Sequence, residues 1–150
     1  MIVKSLDHLN QISKIILKKL ENGDSIFLIG DIGVGKTTFS RYLINNLQNK
    51  KGLKETEVLS PTFNLLYEYE IRDLKIMHYD LFRIKKINEL DHLGIFSENE
   101  KTVKIIEWPD LIKTPLANKL EIHLEYGKKD QERKMRINGF GKWKDFENDV

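Results

Sequence analysis

Hydrophobic residues in the first fifty positions indicate a helix, then a strand, then a second helix. The first series recurs every three or four residues, which predicts an amphipathic helix; its members are Leu6, Leu9, Ile12, Ile16 and Leu20. Ser5 or Asp7 can cap this helix, and Gly23 can end it. Residues 25–29 form a short apolar run typical of a strand buried on both faces, and helical spacing returns from residue 36 to about residue 49. A glycine-rich turn therefore connects a buried strand to a helix.

Two pairs of strand-like segments follow along the chain. A charged connection leads to Pro61, which prevents a helix from running through the residue before it. Residues 64–71 and 74–79 alternate in the manner of strands, and the short connection between them suits a hairpin. Residues 120–126 and 133–138 flank a polar turn and predict a second hairpin.

The segments between the hairpins complete the predicted fold. Residues 86–93 have a helical pattern that Gly94 can end, and residues 102–106 predict a buried strand followed directly by Glu107. Strand, loop and helix followed by mixed strands predict an α/β fold of the phosphate-loop type. We expect a three-layer sandwich whose mixed sheet carries antiparallel hairpins at its edge, in a single domain over residues 1–150.

The composition narrows the class of protein. Hydrophobic residues make up 40% of the chain and charged residues 32%, which is enough material for one globular core. Twenty-five basic and 23 acidic residues give a net charge of +2, too small to indicate nucleic-acid or membrane binding by itself. The absence of cysteine excludes disulfides and thiolate metal sites. With no secretion signal and no apolar run near the about 20 residues of a membrane span, we expect a soluble cytoplasmic protein.

The glycine-rich turn carries the most specific chemical signal. Residues 30–37 read GDIGVGKT and match the pattern G-x-x-x-x-G-K-S/T at every position, between a predicted strand and a predicted helix. Glycines let successive backbone N–H groups point toward an anion at a helix N-terminus. Lys36 can reach the outer phosphates of a nucleotide, and the Thr37 hydroxyl can bind Mg²⁺. A plain strand-to-helix turn is the less favoured alternative.

Two acidic residues at the ends of predicted strands are candidates for binding the metal ion or orienting the attacking water. Asp80 ends KIMHYD, and Glu107 ends TVKIIE. An acid at the carboxyl end of a strand lies at the sheet edge where the phosphate loop opens. Either residue could bind the metal ion. A solvated acid is the usual occupant of such a position, but the phosphate loop favours the functional role for both residues.

Other positions carry weaker signals. Thr62 could sense the terminal phosphate, and Arg83 could stabilise transition-state charge, although a surface arginine is as common. Trp108 could belong to the core or cover the nucleotide, whereas Tyr79 is interpreted as a core residue. Residues 128–144 hold seven basic and two acidic side chains, which suit an acidic partner or nucleic acid, although solvated turn lysines are commoner.

Five segments, in the order GDIGVGKTTFSRYLI, SPTF, HYDLFRI, LGI and IEWPD, closely resemble the TsaE family of small bacterial ATPases. A very large class shares the phosphate loop, but the combination of SPTF, H-Y-D-L-F-R and EWP is specific to this family. The resemblance runs from the first helix to residues 120–126. It implies a phosphate-loop fold and ATP hydrolysis in making the threonylcarbamoyl-adenosine modification of tRNA. It also implies the partners TsaB and TsaD, with TsaC supplying the activated intermediate upstream and tRNA contacted indirectly.

The resemblance also assigns roles to residues that match the family's motifs. The ATP phosphates would lie against Gly33, Val34, Gly35, Lys36, Thr37 and Thr38. Thr37 and Glu107 would bind Mg²⁺, and Asp80 would be a second essential acid beside Glu107 at the catalytic centre. Arg133 is the nearest match to a basic residue of the last hairpin that approaches the nucleotide, and Gln11 is a candidate for contact with the base. Residues 139–150 depart from the family pattern.

Three other functions compete with an ATPase. Residues 91–94 and 118–121 read DHLG and NKLE, near the signatures of GTPases, but neither has the strand context that those signatures require. A small-molecule kinase would need a lid and an acceptor pocket for which this chain barely has room. A nucleotide-dependent assembly switch would bind or release a partner as its output. The resemblance supports a blend, in which ATP turnover resets a TsaB–TsaD complex and is weak in isolation.

Overall fold

The computed structural model describes residues 1–96 and 101–150, whose strands form one seven-stranded sheet. Its order is β1-β7-β6-β2-β5-β4-β3. The strands are β1 (Ile2–Val3), β2 (Asp24–Ile29), β3 (Leu66–Ile71), β4 (Leu74–Asp80), β5 (Val103–Glu107), β6 (Asn118–Tyr126) and β7 (Arg133–Phe140).

Four neighbouring strands are parallel, and the outermost strand of these four on each side is also the first or second strand of an antiparallel hairpin. β2 lies at the centre between β5 and β6, and β4 extends the parallel part beyond β5. β3 pairs antiparallel with β4, and β7 pairs antiparallel with β6. The mixed sheet and both hairpins predicted from the sequence are confirmed. β1 was not predicted, because two residues at the edge of β7 are too few to show a periodic pattern.

Two α-helices pack on each other and on one face of the sheet. The helix α1 spans Leu6–Leu17, and α2 spans Lys36–Lys50. The Ser5 hydroxyl accepts a 3.1 Å hydrogen bond from the His8 backbone N–H, so Ser5 is the cap of α1, a contact that stabilises such a helix by about 1 kcal/mol. The apolar stripes of both helices enter one core cluster with the even-numbered positions of β2.

A thinner layer covers the other face of the sheet. Residues Ile87–Leu93 form a 3-10 helix that ends at Gly94, where φ is 70°. The sequence predicted a helical segment here, and its tighter winding sets it apart from α1 and α2. The cluster beneath it contains Tyr79, which is fully buried and donates a hydrogen bond to the Leu93 carbonyl at 2.8 Å. Tyr79 is therefore a core residue, as predicted.

The C-terminal residues belong to the core on the helical face. Two short 3-10 helices, Gly141–Trp143 and Phe146–Asp149, bury Trp143 and Phe146 against that face. The Lys142 ammonium lies 2.7 Å from a carboxylate oxygen of Asp24 at the start of β2. Across the two described ranges, no helix combines the length and the apolar character needed to cross a membrane.

Candidate nucleotide-binding site

The predicted site residues lie at the C-terminal ends of three parallel strands, on one side of the sheet. The glycine-rich loop follows β2, Asp80 ends β4 and Glu107 ends β5, and the last two lie opposite each other in the strand register. A cavity of about 280 Å³ opens there. The predicted residues in its lining are Gly33, Gly35, Lys36, Thr37, Thr38, Asp80 and Glu107, together with Thr62 and Trp108.

The loop needs glycine for two different physical reasons. At Gly30, a Cβ atom would lie 2.4 Å from the Leu124 carbonyl oxygen, so a side chain is sterically excluded. At Gly35 nothing lies within 4 Å, but φ is 122°, a conformation that L side chains rarely adopt. The loop therefore packs against β6 at its start and turns sharply into the N-terminus of α2.

Lys36 lies folded over the loop that precedes it. Its ammonium donates to the carbonyl oxygens of Gly30 at 2.5 Å and Asp31 at 2.8 Å, and it lies 4.3 Å from the centre of the Trp108 ring. Burial lowers the pKa of Lys36, and the nearby carboxylate of Glu107 opposes this shift. The arrangement places one desolvated cation at the cavity wall.

Glu107 is held from both sides. The Thr37 hydroxyl donates to its Oε1 atom at 2.8 Å, and the ring nitrogen Nε2 of His78 lies 2.7 Å from its Oε2 atom. His78 is fully buried and Glu107 nearly so, and the His78 Nδ1 atom has no hydrogen-bond partner within the described part of the chain. The sequence predicted only a strand over residues 74–79, because strand spacing does not reveal that His78 has a partner on a neighbouring strand.

The oxygen atoms of Thr37 and Glu107 suit a magnesium ion shared with phosphate. Mg²⁺ prefers hard oxygen ligands and is usually held by one or two protein groups plus substrate phosphates. No group of three or more histidine or acidic side chains suited to a metal occurs in residues 1–96 and 101–150. Thr37 and Glu107, joined by a 2.8 Å hydrogen bond at the cavity, could hold such an ion beside a bound nucleotide.

Asp80 is bound by the loop that contains Thr62. The Thr62 hydroxyl donates to its Oδ2 atom at 2.8 Å, and the backbone N–H of Phe82 donates to its Oδ1 atom at 3.0 Å. Thr62 and Asp80 were predicted as separate candidates. The structure brings them together, because the proline-containing loop folds back over the end of β4.

The last hairpin contacts the outside of the phosphate loop. Arg133 donates through Nε to the Val34 carbonyl at 2.8 Å, and the Tyr126 hydroxyl donates to the Ile32 carbonyl at 2.7 Å. Val34 and Arg133 do not belong to the cavity lining. Tyr126 was not predicted as a site residue, because nothing in the order of residues along the chain indicates which carbonyl a tyrosine will reach.

The remaining candidates lie around or away from the cavity. Trp108 is partly buried and packs against Phe82 with ring centres 4.8 Å apart. Arg83 is exposed and its guanidinium lies over the Phe63 ring at 5.3 Å, outside the lining. Gln11 is exposed on α1 and does not line the cavity either.

Comparison with known proteins connects this site to one family. Residues 3–135 match the family model described as "Threonylcarbamoyl adenosine biosynthesis protein TsaE". The tRNA threonylcarbamoyladenosine biosynthesis protein TsaE of Rickettsia felis is 34% identical over 126 residues, which are 83% of this chain and 71% of the relative. The protein of the same name from Aquifex aeolicus is 31% identical over 136 residues, with coverage of 91% and 92%.

A solved structure shows the same fold. The crystal structure of Bacillus subtilis YdiB matches with a TM-score of 0.69 at 24% sequence identity, covering 97% of this chain and 88% of that one. The family model covers most of the chain and includes the phosphate loop, Asp80 and Glu107. The chain therefore belongs to the TsaE family.

Proposed function

We propose that this chain binds and hydrolyses ATP with Mg²⁺, as a component of the machinery that makes threonylcarbamoyladenosine in tRNA. One observation carries the nucleotide part: the loop at the N-terminus of α2 brings Lys36, Thr37 and Glu107 together at one cavity. The relatives are named for threonylcarbamoyladenosine biosynthesis, which supports the process.

The proposed binding mode divides the phosphates between backbone and side chains. The N–H groups of residues 33–38 would surround the phosphate oxygens at the positive end of α2. Lys36 would exchange its carbonyl partners, Gly30 and Asp31, for oxygens of the outer phosphates. That exchange is favourable because a desolvated ammonium gains more from an anion than from a neutral carbonyl.

Two carboxylates would have separate tasks in hydrolysis. Thr37 and Glu107 would hold Mg²⁺, which supplies positive charge to the phosphate oxygens. Asp80 would orient the attacking water, and Thr62 would fix the Asp80 carboxylate through their 2.8 Å hydrogen bond. The role of Arg133 as a direct nucleotide ligand remains a sequence-based prediction.

We further propose that ATP turnover resets or activates a complex of TsaB and TsaD proteins, in the cytoplasm and with tRNA contacted indirectly. Turnover by the chain alone would then be slow, since the catalytic arrangement would be completed by the partners. The alternative is a nucleotide-dependent assembly switch, which would use the same site to bind or release a partner and would not depend on hydrolysis.

The structure disfavours the GTPase alternative. Asn118 begins β6 and lies opposite Asp24, at the sheet edge away from the cavity, where its side-chain oxygen accepts a hydrogen bond from the Lys142 N–H. Residues 91–94 lie in and just after the 3-10 helix on the other face of the sheet. Neither segment lines the cavity to select guanine.

A comparison of ATP and GTP hydrolysis tests the proposal. ATP and GTP turnover would be measured for the purified chain, alone and with TsaB, TsaD and tRNA, with Lys36→Ala as the inactive control. We expect ATP-selective turnover that the partners increase. Equal turnover of GTP, or no nucleotide binding at all, would refute the ATPase assignment. If the partners leave turnover unchanged while ATP still controls their association, the assembly switch is the better description.

A further inference from the structure

The β6–β7 hairpin holds two carbonyl groups of the phosphate loop from outside the cavity. The Tyr126 hydroxyl donates to the carbonyl oxygen of Ile32, and Arg133 Nε donates to that of Val34. Arg133 is itself fixed, because its Nη1 atom donates to the carbonyl oxygens of Asp130 at 2.7 Å and Glu132 at 2.9 Å. Its guanidinium also lies 4.8 Å from the centre of the Tyr126 ring.

Because each peptide group is planar, these two hydrogen bonds also fix the direction of the N–H group that follows each carbonyl. No described peptide bond is cis, so the C=O of one residue and the N–H of the next point in opposite directions. The Ile32 carbonyl shares a peptide group with the Gly33 N–H, and the Val34 carbonyl shares one with the Gly35 N–H. A donor that draws each carbonyl toward the hairpin therefore turns the following N–H away from it. Gly33 and Gly35 line the cavity, whereas Val34 does not.

The loop benefits from such support, because the hydrogen bonds from Lys36 and from the Val34 N–H end on the carbonyls of Gly30 and Asp31, ahead of Ile32. Gly33 and Gly35 have φ values of 75° and 122°, and glycine has more backbone freedom to lose than any other residue. Residues 31–33 are exposed, so little packing limits them. A loop without external contacts would sample conformations in which its amides do not converge, and a phosphate would have to order them on binding.

We propose that Tyr126 and Arg133 are positioning residues, which hold the Gly33 and Gly35 amides in their anion-binding orientation before a nucleotide arrives. The proposal rests on the proposed nucleotide function for its effect on affinity, but the ordering of the loop is a property of the nucleotide-free chain. Arg133 acts here through Val34, and its contribution depends on its planar fork of donors.

Loop order is measured first, without nucleotide. The chain has nine glycines, so labelling with ¹⁵N-glycine gives a simple amide spectrum in which Gly33 and Gly35 can be followed. Tyr126→Phe removes the hydroxyl and keeps the ring beneath Arg133. We expect the order parameter of Gly33 to fall from about 0.85 toward 0.6 or below, with Gly52 unchanged as the internal reference.

Nucleotide affinity is measured second. Loss of one hydrogen bond that orders the loop is expected to raise the dissociation constant for ATP by about three- to tenfold, raising KM and leaving kcat within about twofold. Arg133→Lys keeps the positive charge but lacks the planar set of guanidinium donors, so it should weaken ATP binding and lower the order parameter of Gly35. The matched control is Tyr67→Phe, which removes a hydroxyl bound to the Asn64 side chain, outside the cavity lining, and should change neither measurement.

The outcomes separate the two proposals. An unchanged Gly33 order parameter in Tyr126→Phe overturns the positioning role, whatever the affinity. Normal Gly35 order and affinity in Arg133→Lys would show that only the charge of Arg133 matters, and would overturn its part. If the parent chain binds no nucleotide, the proposed function fails, while the order parameters of the nucleotide-free variants still decide the positioning role.

Discussion

Replacing His78 by leucine tests whether a buried hydrogen bond prepares Glu107 for a metal ion. The Nε2 atom of His78 lies 2.7 Å from Glu107 Oε2, and the two side chains are 0% and 2% exposed. Leucine fills much of the same space but has no donor. A carboxylate oxygen would then be left buried without a partner, while the other oxygen still accepts from Thr37.

The structure sets the size of two separate effects. A hydrogen bond to a charged group contributes about 1.5–3 kcal/mol, so the free energy of unfolding of His78→Leu should fall by about that amount. Groups that hydrogen-bond a metal-binding carboxylate typically change metal affinity by about 10- to 100-fold when mutated. We therefore expect the Mg²⁺ concentration for half-maximal support of ADP binding to rise by at least about tenfold.

The assay combines calorimetric titration of Mg²⁺ in the presence of ADP with thermal unfolding of the metal-free chain. His78→Gln is the matched variant, because the glutamine amide can replace the Nε2 donor. Loss of the ring's Nδ1 atom should matter little, since that atom has no partner within the described residues. Glutamine should recover most of the Mg²⁺ affinity. An unchanged Mg²⁺ requirement in His78→Leu, or a glutamine variant as impaired as leucine, would refute the reasoning.

Three further predictions concern other buried groups. Lys36→Ala should abolish measurable ATP binding, because the phosphates lose the buried ammonium; calorimetry with the exposed Lys14→Ala as control checks this, and unchanged affinity would contradict the loop's role. Glu107→Ala should weaken the magnesium dependence of nucleotide binding more than Asp80→Ala does, and the opposite order would exchange their assignments. Burial raises the pKa of Tyr79 from 10.0 to about 12, so the unfolded chain ionises first and the free energy of unfolding should fall between those pH values, by up to roughly 3 kcal/mol. Tyr79→Phe should lose about 1 kcal/mol at neutral pH and lack this alkaline decline in urea unfolding; an identical decline would place its origin elsewhere.

Local patterns were enough to predict the elements that carry the site. The loop pattern and its flanking strand and helix are local, so α2 begins at Lys36 as predicted. The strands ending at Asp80 and Glu107 were also predicted, the first as part of a strand-like hairpin and the second as a short apolar run typical of a buried strand. Their meeting at one edge followed from the general geometry of parallel strands.

Contacts between distant segments could not be predicted in the same way. The His78–Glu107 pair depends on the register of β4 against β5, which no residue pattern in either strand specifies alone. The Thr62–Asp80 bond depends on the path of an irregular loop, and the Tyr126 contact depends on how far the last hairpin reaches over the glycines. The 3-10 winding of Ile87–Leu93 could not be predicted either, because a helical pattern of hydrophobic residues does not distinguish a 3-10 helix from an α-helix.

The hairpin contacts also set the moment in synthesis at which this chain can first hold a nucleotide. The Tyr126–Ile32 bond spans 94 positions, and the Arg133–Val34 bond spans 99. At typical translation rates, roughly 5 to 20 s separate the emergence of the glycine motif from that of the residues that brace it. A ribosome-bound fragment that carries the intact motif but ends before the hairpin should therefore bind ATP poorly, and nucleotide capture would mark a chain whose sheet is nearly complete.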